Sequence, residues 1–371
     1  MKIGILTFHY SNNYGALLQT YALSKTLSKL GFEPMIINRV PLQNKPKSFL
    51  GRIKAAARQI IQEQFKKSFS RFRKDFLTNT TRIVNNERDL NDLTQQFDAV
   101  IVGSDQVWRI DYTKELRLNY FLDFVPDHIM KISYAASFGK DEFECKAETL
   151  VQVKKLLERF DAISVREESG VAICKDLFGI NSIHLLDPTL LLTQFDYKKL
   201  ITKNNRSNDR KFISIYILDE AKEKSKIIEL IARKIGLKTL NIAKERHAIF
   251  SIIKLITNSR NYFYPSFSEW LKGIQNAEFI ITDSFHGTVF AIIYNKPFIT
   301  IGNSGRGLER FKSLLKMFGL EDRLILSLND LTFEKIQKPI NFAMVNQILK
   351  NEQQKSLAFI NKSLNSKHAD R

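Results

Sequence analysis

The sequence predicts an α/β protein made of two doubly wound parallel-sheet domains facing each other across a cleft, and three observations carry that prediction. Short apolar runs such as Ile3 to Phe8, Phe97 to Gly103 and Phe279 to Thr282 alternate with longer segments whose apolar residues recur every three or four positions. That alternation is the pattern of buried parallel strands joined by helices. The apolar runs end in short polar stretches containing glycine, where open α/β sheets bind ligands. A polar, basic stretch from Lys203 to Lys211 separates two such series, and 371 residues suffice for two domains of roughly 100–200 residues each.

The first series reads as strand Ile3 to Phe8, helix Ala16 to Leu30 and strand Glu33 to Asn38. After a basic helical region come a short helix Asp89 to Gln95, strand Phe97 to Gly103 and strand Lys131 to Ala136. Helix Glu148 to Phe160, strand Ala162 to Val165, helix Glu167 to Phe178 and strand Ile183 to Leu186 complete it. Asp187-Pro188 then interrupts regular structure, because proline fixes φ and holds the preceding residue extended. The second series runs through strand Phe212 to Leu218, helix Glu223 to Ile235, strand Thr239 to Ile242 and helix Phe267 to Asn276. Strand Phe279 to Thr282, helix Thr288 to Tyr294 and strand Phe298 to Ile301 follow, then a glycine-rich loop with Arg306. The domains are expected at 1–193 and 194–340, with a final helix, about Asn341 to Ser366, packing back across the first.

An apolar fraction of 44% is that of a globular protein with real cores. No apolar run reaches the roughly 18 residues needed to cross a bilayer, and no secretory signal is visible. The two cysteines, Cys145 and Cys174, have no zinc-type spacing, so a cytoplasmic, reduced protein is expected. The formal net charge of +18 favours anionic partners. Between Phe49 and Phe76, basic residues including Arg52, Arg58, Lys67, Arg71, Arg73 and Lys74 interleave with apolar ones at helical spacing. This is a basic amphipathic helix or pair of helices: a solvated face over an inward-packing side, or a peripheral contact with an anionic membrane surface. Nucleic acid is disfavoured, since no recognition motif is present and these cations lie away from the strand-end residues.

Four strand ends carry chemistry. The strand Phe279 to Thr282 runs into Asp283-Ser284-Phe285-His286-Gly287, which places an imidazole beside free backbone N–H groups at a helix start. The first strand ends in His9-Tyr10-Ser11-Asn12-Asn13-Tyr14-Gly15, a turn able to offer N–H donors to a phosphate or a sugar hydroxyl. Gly103-Ser104-Asp105-Gln106-Val107-Trp108 puts a carboxylate at the cleft and offers an indole face of the kind that stacks on sugars. Val165-Arg166-Glu167 ends another strand with a guanidinium suited to carboxylate or phosphate, the alternative being an ion pair with Glu167 or Glu168.

At these residues the chain resembles the polysaccharide pyruvyl transferase family. The resemblance covers roughly residues 3 to 310 through the turn with Asn13 and Gly15, Gly103-Ser104-Asp105 with Trp108, Ser133-Tyr134-Ala135-Ala136-Ser137-Phe138-Gly139, Val165-Arg166-Glu167, Asp187-Pro188-Thr189 and Thr282-Asp283-Ser284-Phe285-His286-Gly287. It implies a GT-B-like fold of two Rossmann-like domains and transfer of a pyruvyl group from phosphoenolpyruvate to a sugar, forming a ketal. It further implies His286 as the essential catalytic or donor-contacting residue and Arg166 with Arg306 on the donor's anionic groups, with Ser284 and Gly287 beside them. Asp105 is the expected base; Asn13, Tyr14, Gly15, Ser104 and Trp108 are expected on the acceptor side. Where several family members carry an Arg-Leu-His string, this sequence has Ser284-Phe285-His286, which leaves Arg306 or Arg310 to supply that cation.

Ketal formation needs an acid, a base and fixed cations, so phosphoenolpyruvate is a co-substrate and no metal or other cofactor is expected. The acceptor is a glycan, free or lipid-linked, which allows a peripheral position at the inner face of the plasma membrane. A GT-B glycosyltransferase using a nucleotide sugar, and a non-catalytic sugar- or anion-binding relative, are the competing expectations.

Overall fold

A computed structural model of the chain describes residues 1–41, 67–202, 211–243, 265–303 and 307–365. Arg306, the stretch from Lys203 to Arg210 and the greater part of the basic region, through Lys66, lie outside the described residues. The first sheet contains β1 (Lys2–Leu6), β2 (Glu33–Ile36), β3 (Ala99–Val102), β4 (Met130–Ala136), β5 (Ala162–Val165) and β6 (Ile183–His184), in the order β2-β1-β3-β4-β5-β6. The second contains β7 (Phe212–Tyr216), β8 (Lys238–Asn241), β9 (Phe279–Thr282), β10 (Phe298–Ile301) and β11 (Leu324–Ile325), in the order β11-β10-β9-β7-β8. All strand pairs are parallel. The central strands β3, β4, β9 and β10 are buried along their whole length, which is why β3, β9 and β10 read as near-continuous apolar runs; β4 also buries Lys131 and Ser133, whose side chains donate to the Ile129 and Ser164 carbonyls.

Both orders reverse direction beside their first strand, so each sheet has a switch point, between β1 and β3 and between β7 and β9. At a switch point the flanking connections diverge and leave a crevice at the strand ends. The sequence places its polar turns at these ends.

An apolar core joins the halves. Tyr14 stacks on Trp270 at 5.1 Å and Phe72 on Phe267 at 3.8 Å, while Phe69 sits 4.9 Å from Tyr14. Phe69 and Phe72 belong to a helix over residues 67–76 whose Lys67, Arg71 and Lys74 are exposed, so in this part of the basic region the aromatic side packs inward. The helix Phe342–Asn365 lies against the first sheet: Gln353 donates to the Leu190 carbonyl at 2.7 Å, and the Phe359 ring is 6.5 Å from that of Tyr134. No helix among the described residues is long and apolar enough to cross a membrane.

Elements with weak local signals differ most from expectation. The helix expected to begin at Thr288 begins at Phe285, because Ser284 caps it by accepting from the Gly287 N–H at 3.4 Å. His286 is therefore in the first helical turn. Short elements at Ile110–Thr113, Pro188–Leu191 and Glu309–Met317 were not anticipated.

Candidate functional site

The buried carboxylate of Asp187 is the centre of the site. Its Oδ2 accepts from Arg166 Nη1 at 2.8 Å and from Ser104 Oγ at 2.9 Å, and lies 3.6 Å from His286 Nε2. Its Oδ1 accepts from the Thr189 N–H at 3.0 Å and hydroxyl at 2.6 Å. Strand ends from both sheets thus converge on one acid: β3 through Ser104, β5 through Arg166 and β9 through His286. Burial would raise the Asp187 carboxyl, but the neighbouring His286 and Arg166 and the Thr189 hydroxyl outweigh it and hold it well below the usual carboxylate range; His286 Nε2 itself is buried and makes no hydrogen bond among the described residues. From sequence, Asp187 stands in the Asp187-Pro188-Thr189 string that carries part of the family resemblance, but it has no role assigned there, since an acid between a strand end and Pro188 also fits a plain turn.

Arg166 is 2% exposed. Beyond Asp187 its Nη2 lies 3.6 Å from Asp105 Oδ1, and its Cζ lies 4.5 Å over the Phe285 ring. It pairs with Asp187 and Asp105 rather than with Glu168, which binds Lys316 at 2.7 Å. Although burial opposes its charge, Asp187, Asp105 and Glu167 leave it raised. Its Nε and Nη2 are buried and make no hydrogen bond among the described residues. Buried donors of this kind are rare and call for a partner. Glu167 instead accepts from Ser137 Oγ and from the Phe138 and Gly139 N–H groups, and burial raises its pKa.

Arg310, expected from sequence only as a substitute cation, is 6% exposed with its Cζ 5.5 Å over the same Phe285 ring. Burial and the neighbouring Arg166 push it down to about 10. Two guanidinium groups therefore lie against the Phe285 ring, one residue beyond Ser284.

Several expected contacts resolve into structural roles. Trp108 offers no face to a sugar: it is wholly buried, stacked on Phe121 at 5.5 Å, with its indole N–H donating to the Tyr120 carbonyl. Tyr14 is buried in the aromatic core between the halves, and Ser104 faces Asp187. Ser284 is occupied as a helix cap, and Gly287 is required by packing, since a Cβ there would meet Thr282 Oγ1 at 2.2 Å. Asp283 accepts from the Leu218 and Asp219 N–H groups and from Lys224 at 2.6 Å, which fixes the loop after β7.

Asn13 caps the first helix by accepting from the Gly15 N–H at 2.8 Å. Gly15 then comes directly against the catalytic candidate: a Cβ at this position would lie 1.9 Å from His286 Nδ1. The first turn of one half and the histidine of the other are in contact, a juxtaposition with no local signature in the sequence. Gly15→Ala is helix-compatible, since its φ is not in the left-handed region, and it must displace the imidazole. We expect normal folding and about a 100-fold fall in turnover, checked by circular dichroism beside an activity assay.

Asp105 adopts φ 82°, with Oδ1 accepting from the Gln106 N–H at 2.9 Å. It borders a cavity of about 340 Å³ at the β1/β3 switch point, lined also by Phe8, Tyr10, Asn13 and Tyr112. A second cavity, of about 410 Å³, lies between the first helix and β2, beside Tyr21 and Phe76 and away from these groups.

Solved structures show the fold. The chain is 12% identical to a protein from Listeria monocytogenes assigned as a UDP-N-acetylglucosamine 2-epimerase, with a TM-score of 0.54 over 97% of this chain and 96% of that one. It is 10% identical to a Polygonum tinctorium UDP-glucosyltransferase capable of glucosylating indoxyl, with a TM-score of 0.52 over 98% of each. S. aureus MnaA, solved with UDP, is 12% identical, with a TM-score of 0.51 over 94% of this chain and 87% of that one. The architecture is that of GT-B glycosyltransferases and epimerases, two Rossmann-like domains each with a parallel sheet. No curated protein sequence matches the chain. The sequence model of the polysaccharide pyruvyl transferases matches residues 13–305, from the Asn13 cap through the His286 turn, and the chain belongs to the polysaccharide pyruvyl transferase family.

Proposed function

We propose that this protein transfers a pyruvyl group from phosphoenolpyruvate to a sugar of a polysaccharide or of its lipid-linked precursor, forming a cyclic ketal on the cytoplasmic side of the membrane. The observation that carries the reading is the buried Arg166, whose Nε and Nη2 make no hydrogen bond among the described residues, beside His286 and Asp105. It is a cation fitted to a carboxylate or phosphate, with an acid and a base at hand. Arg310 adds a second buried cation against the Phe285 ring.

In this reading His286 protonates the methylene carbon of phosphoenolpyruvate, and C2 gains oxocarbenium character. Asp105 takes the proton of one sugar hydroxyl as its oxygen bonds to C2. The C2–O bond to phosphate then breaks with its electron pair, phosphate leaves, and a second hydroxyl closes the ketal with loss of its proton. Phosphoenolpyruvate and a diol thus give the ketal and inorganic phosphate, and the electrostatic work falls on fixed cations in a buried site.

Incubation of the protein with phosphoenolpyruvate and candidate oligosaccharides tests this by mass spectrometry and phosphate release. The expected result is a pyruvate-ketal mass increase that depends on phosphoenolpyruvate. Transfer from a nucleotide sugar in its place would overturn the reading. Asp105→Asn is expected to lower the rate by about 10²–10⁴-fold; near-normal transfer would remove Asp105 from the role of base.

A further inference from the structure

The cavity between the ends of β1 and β3 has a charge pattern opposite to that of the chain. The protein carries a formal +18, yet the charged residues that line this cavity among the described residues are two carboxylates, Asp105 and Asp111. The neighbouring cations are engaged without lining it. Arg73 donates to the Ser11 carbonyl at 3.2 Å and to Asn12 Oδ1 at 3.1 Å. Arg109 donates to Gln106 Oε1 at 3.2 Å, and its Cζ lies 4.2 Å over the Tyr112 ring. Arg166 reaches Asp105 through Oδ1, the oxygen that also accepts from the Gln106 N–H. Asp105 therefore divides the site: one oxygen toward the buried cations, and Oδ2 with no hydrogen bond among the described residues.

The rest of the lining suits a hydroxyl-rich, uncharged ligand. Tyr10 and Tyr112 contribute ring surface, and Tyr112 is 41% exposed. Asn13 accepts helix N–H groups through its oxygen, which leaves its amide N–H groups as donors. Tyrosine rings receive the apolar C–H face of a sugar, while carboxylates and amides receive its hydroxyls. A volume of about 340 Å³ is at the small end of ligand pockets, which span about 300–1,000 Å³, and fits a single sugar unit with its linkage. A sugar bearing a carboxylate or phosphate would bring like charge against Asp105 and Asp111, which is discrimination by repulsion.

We propose that this cavity takes a neutral pyranose and rejects uronic acids and phosphorylated sugars, with Asp111 as the residue that sets the discrimination. That the bound sugar is the acceptor rests on the pyruvyl-transfer reading; the selectivity does not. The test is saturation-transfer NMR on the full chain without phosphoenolpyruvate, titrating methyl hexopyranosides and the matching methyl hexuronosides in gluco, galacto and manno configurations. At least one neutral glycoside is expected to bind about tenfold or more tightly than its uronate partner. Asp111→Asn, at an exposed position, is expected to narrow that ratio severalfold. Equal or tighter uronate binding, no saturable neutral binding, or an unchanged ratio in Asp111→Asn overturns the proposal. Ketal formation without this selectivity sinks the cavity assignment and spares pyruvyl transfer; selective binding with no turnover of phosphoenolpyruvate does the reverse.

Discussion

His286→Ala is expected to lower kcat/KM for pyruvyl transfer by about 10²–10⁴-fold, the usual contribution of a positioned general acid, while the protein stays folded. The fold should tolerate the change because no buried charge loses its last partner. Asp187 keeps Arg166, Ser104 and both groups of Thr189, and the alanine is a good helix former in a capped first turn. Steady-state kinetics with phosphoenolpyruvate, beside a thermal melt, check both halves. Transfer within tenfold of wild type would remove His286 from the chemistry.

Asp187→Ala is expected to do the opposite, costing about 3–5 kcal/mol of stability. It takes away the acceptor of four hydrogen bonds and leaves the 2% exposed Arg166 with Asp105 at 3.6 Å as its nearest remaining carboxylate. Breaking a buried pair by removing one partner strands the other charge, which is why the effect exceeds that of a surface ion pair. The pH dependence follows from the sign of the shift. Burial raises the Asp187 carboxyl, but His286 and Arg166 depress it further, so its folded pKa is below the unfolded value of about 3.9. Its contribution is therefore fully present above about pH 4 and is lost as the pH falls toward the folded pKa. The stability difference between wild type and Asp187→Ala, read from denaturant midpoints, should be present at pH 5 and shrink progressively as the pH falls below about 4. A difference unchanged down to about pH 2 would show that Asp187 does not carry the linkage.

The two variants also explain why Asp187 was harder to read than His286. A histidine after the apolar run Phe279 to Thr282, with Asp283, Ser284 and Gly287 around it, is a local pattern. The value of Asp187 comes from Ser104, Arg166 and His286, which lie 83, 21 and 99 positions away along the chain. Trp108 misled for the same reason. Its place after a strand end suits a sugar platform, but Phe121 and the Tyr120 carbonyl bury it.

By itself the sequence determined the two parallel sheets, because strands buried on both faces are predominantly apolar and their crossover helices periodic. It also determined which strand ends are polar, since turns at switch points require glycine, asparagine and capping hydroxyls. Only the tertiary structure decided what those ends do together. It set Gly15 against His286, gathered three strand ends on one buried carboxylate, and turned Asp105 between a cationic site and an acidic cavity. The physical reason is that local propensity acts over a few residues, whereas burial and charge pairing act through space, so a residue's chemistry is fixed by neighbours its own segment does not contain.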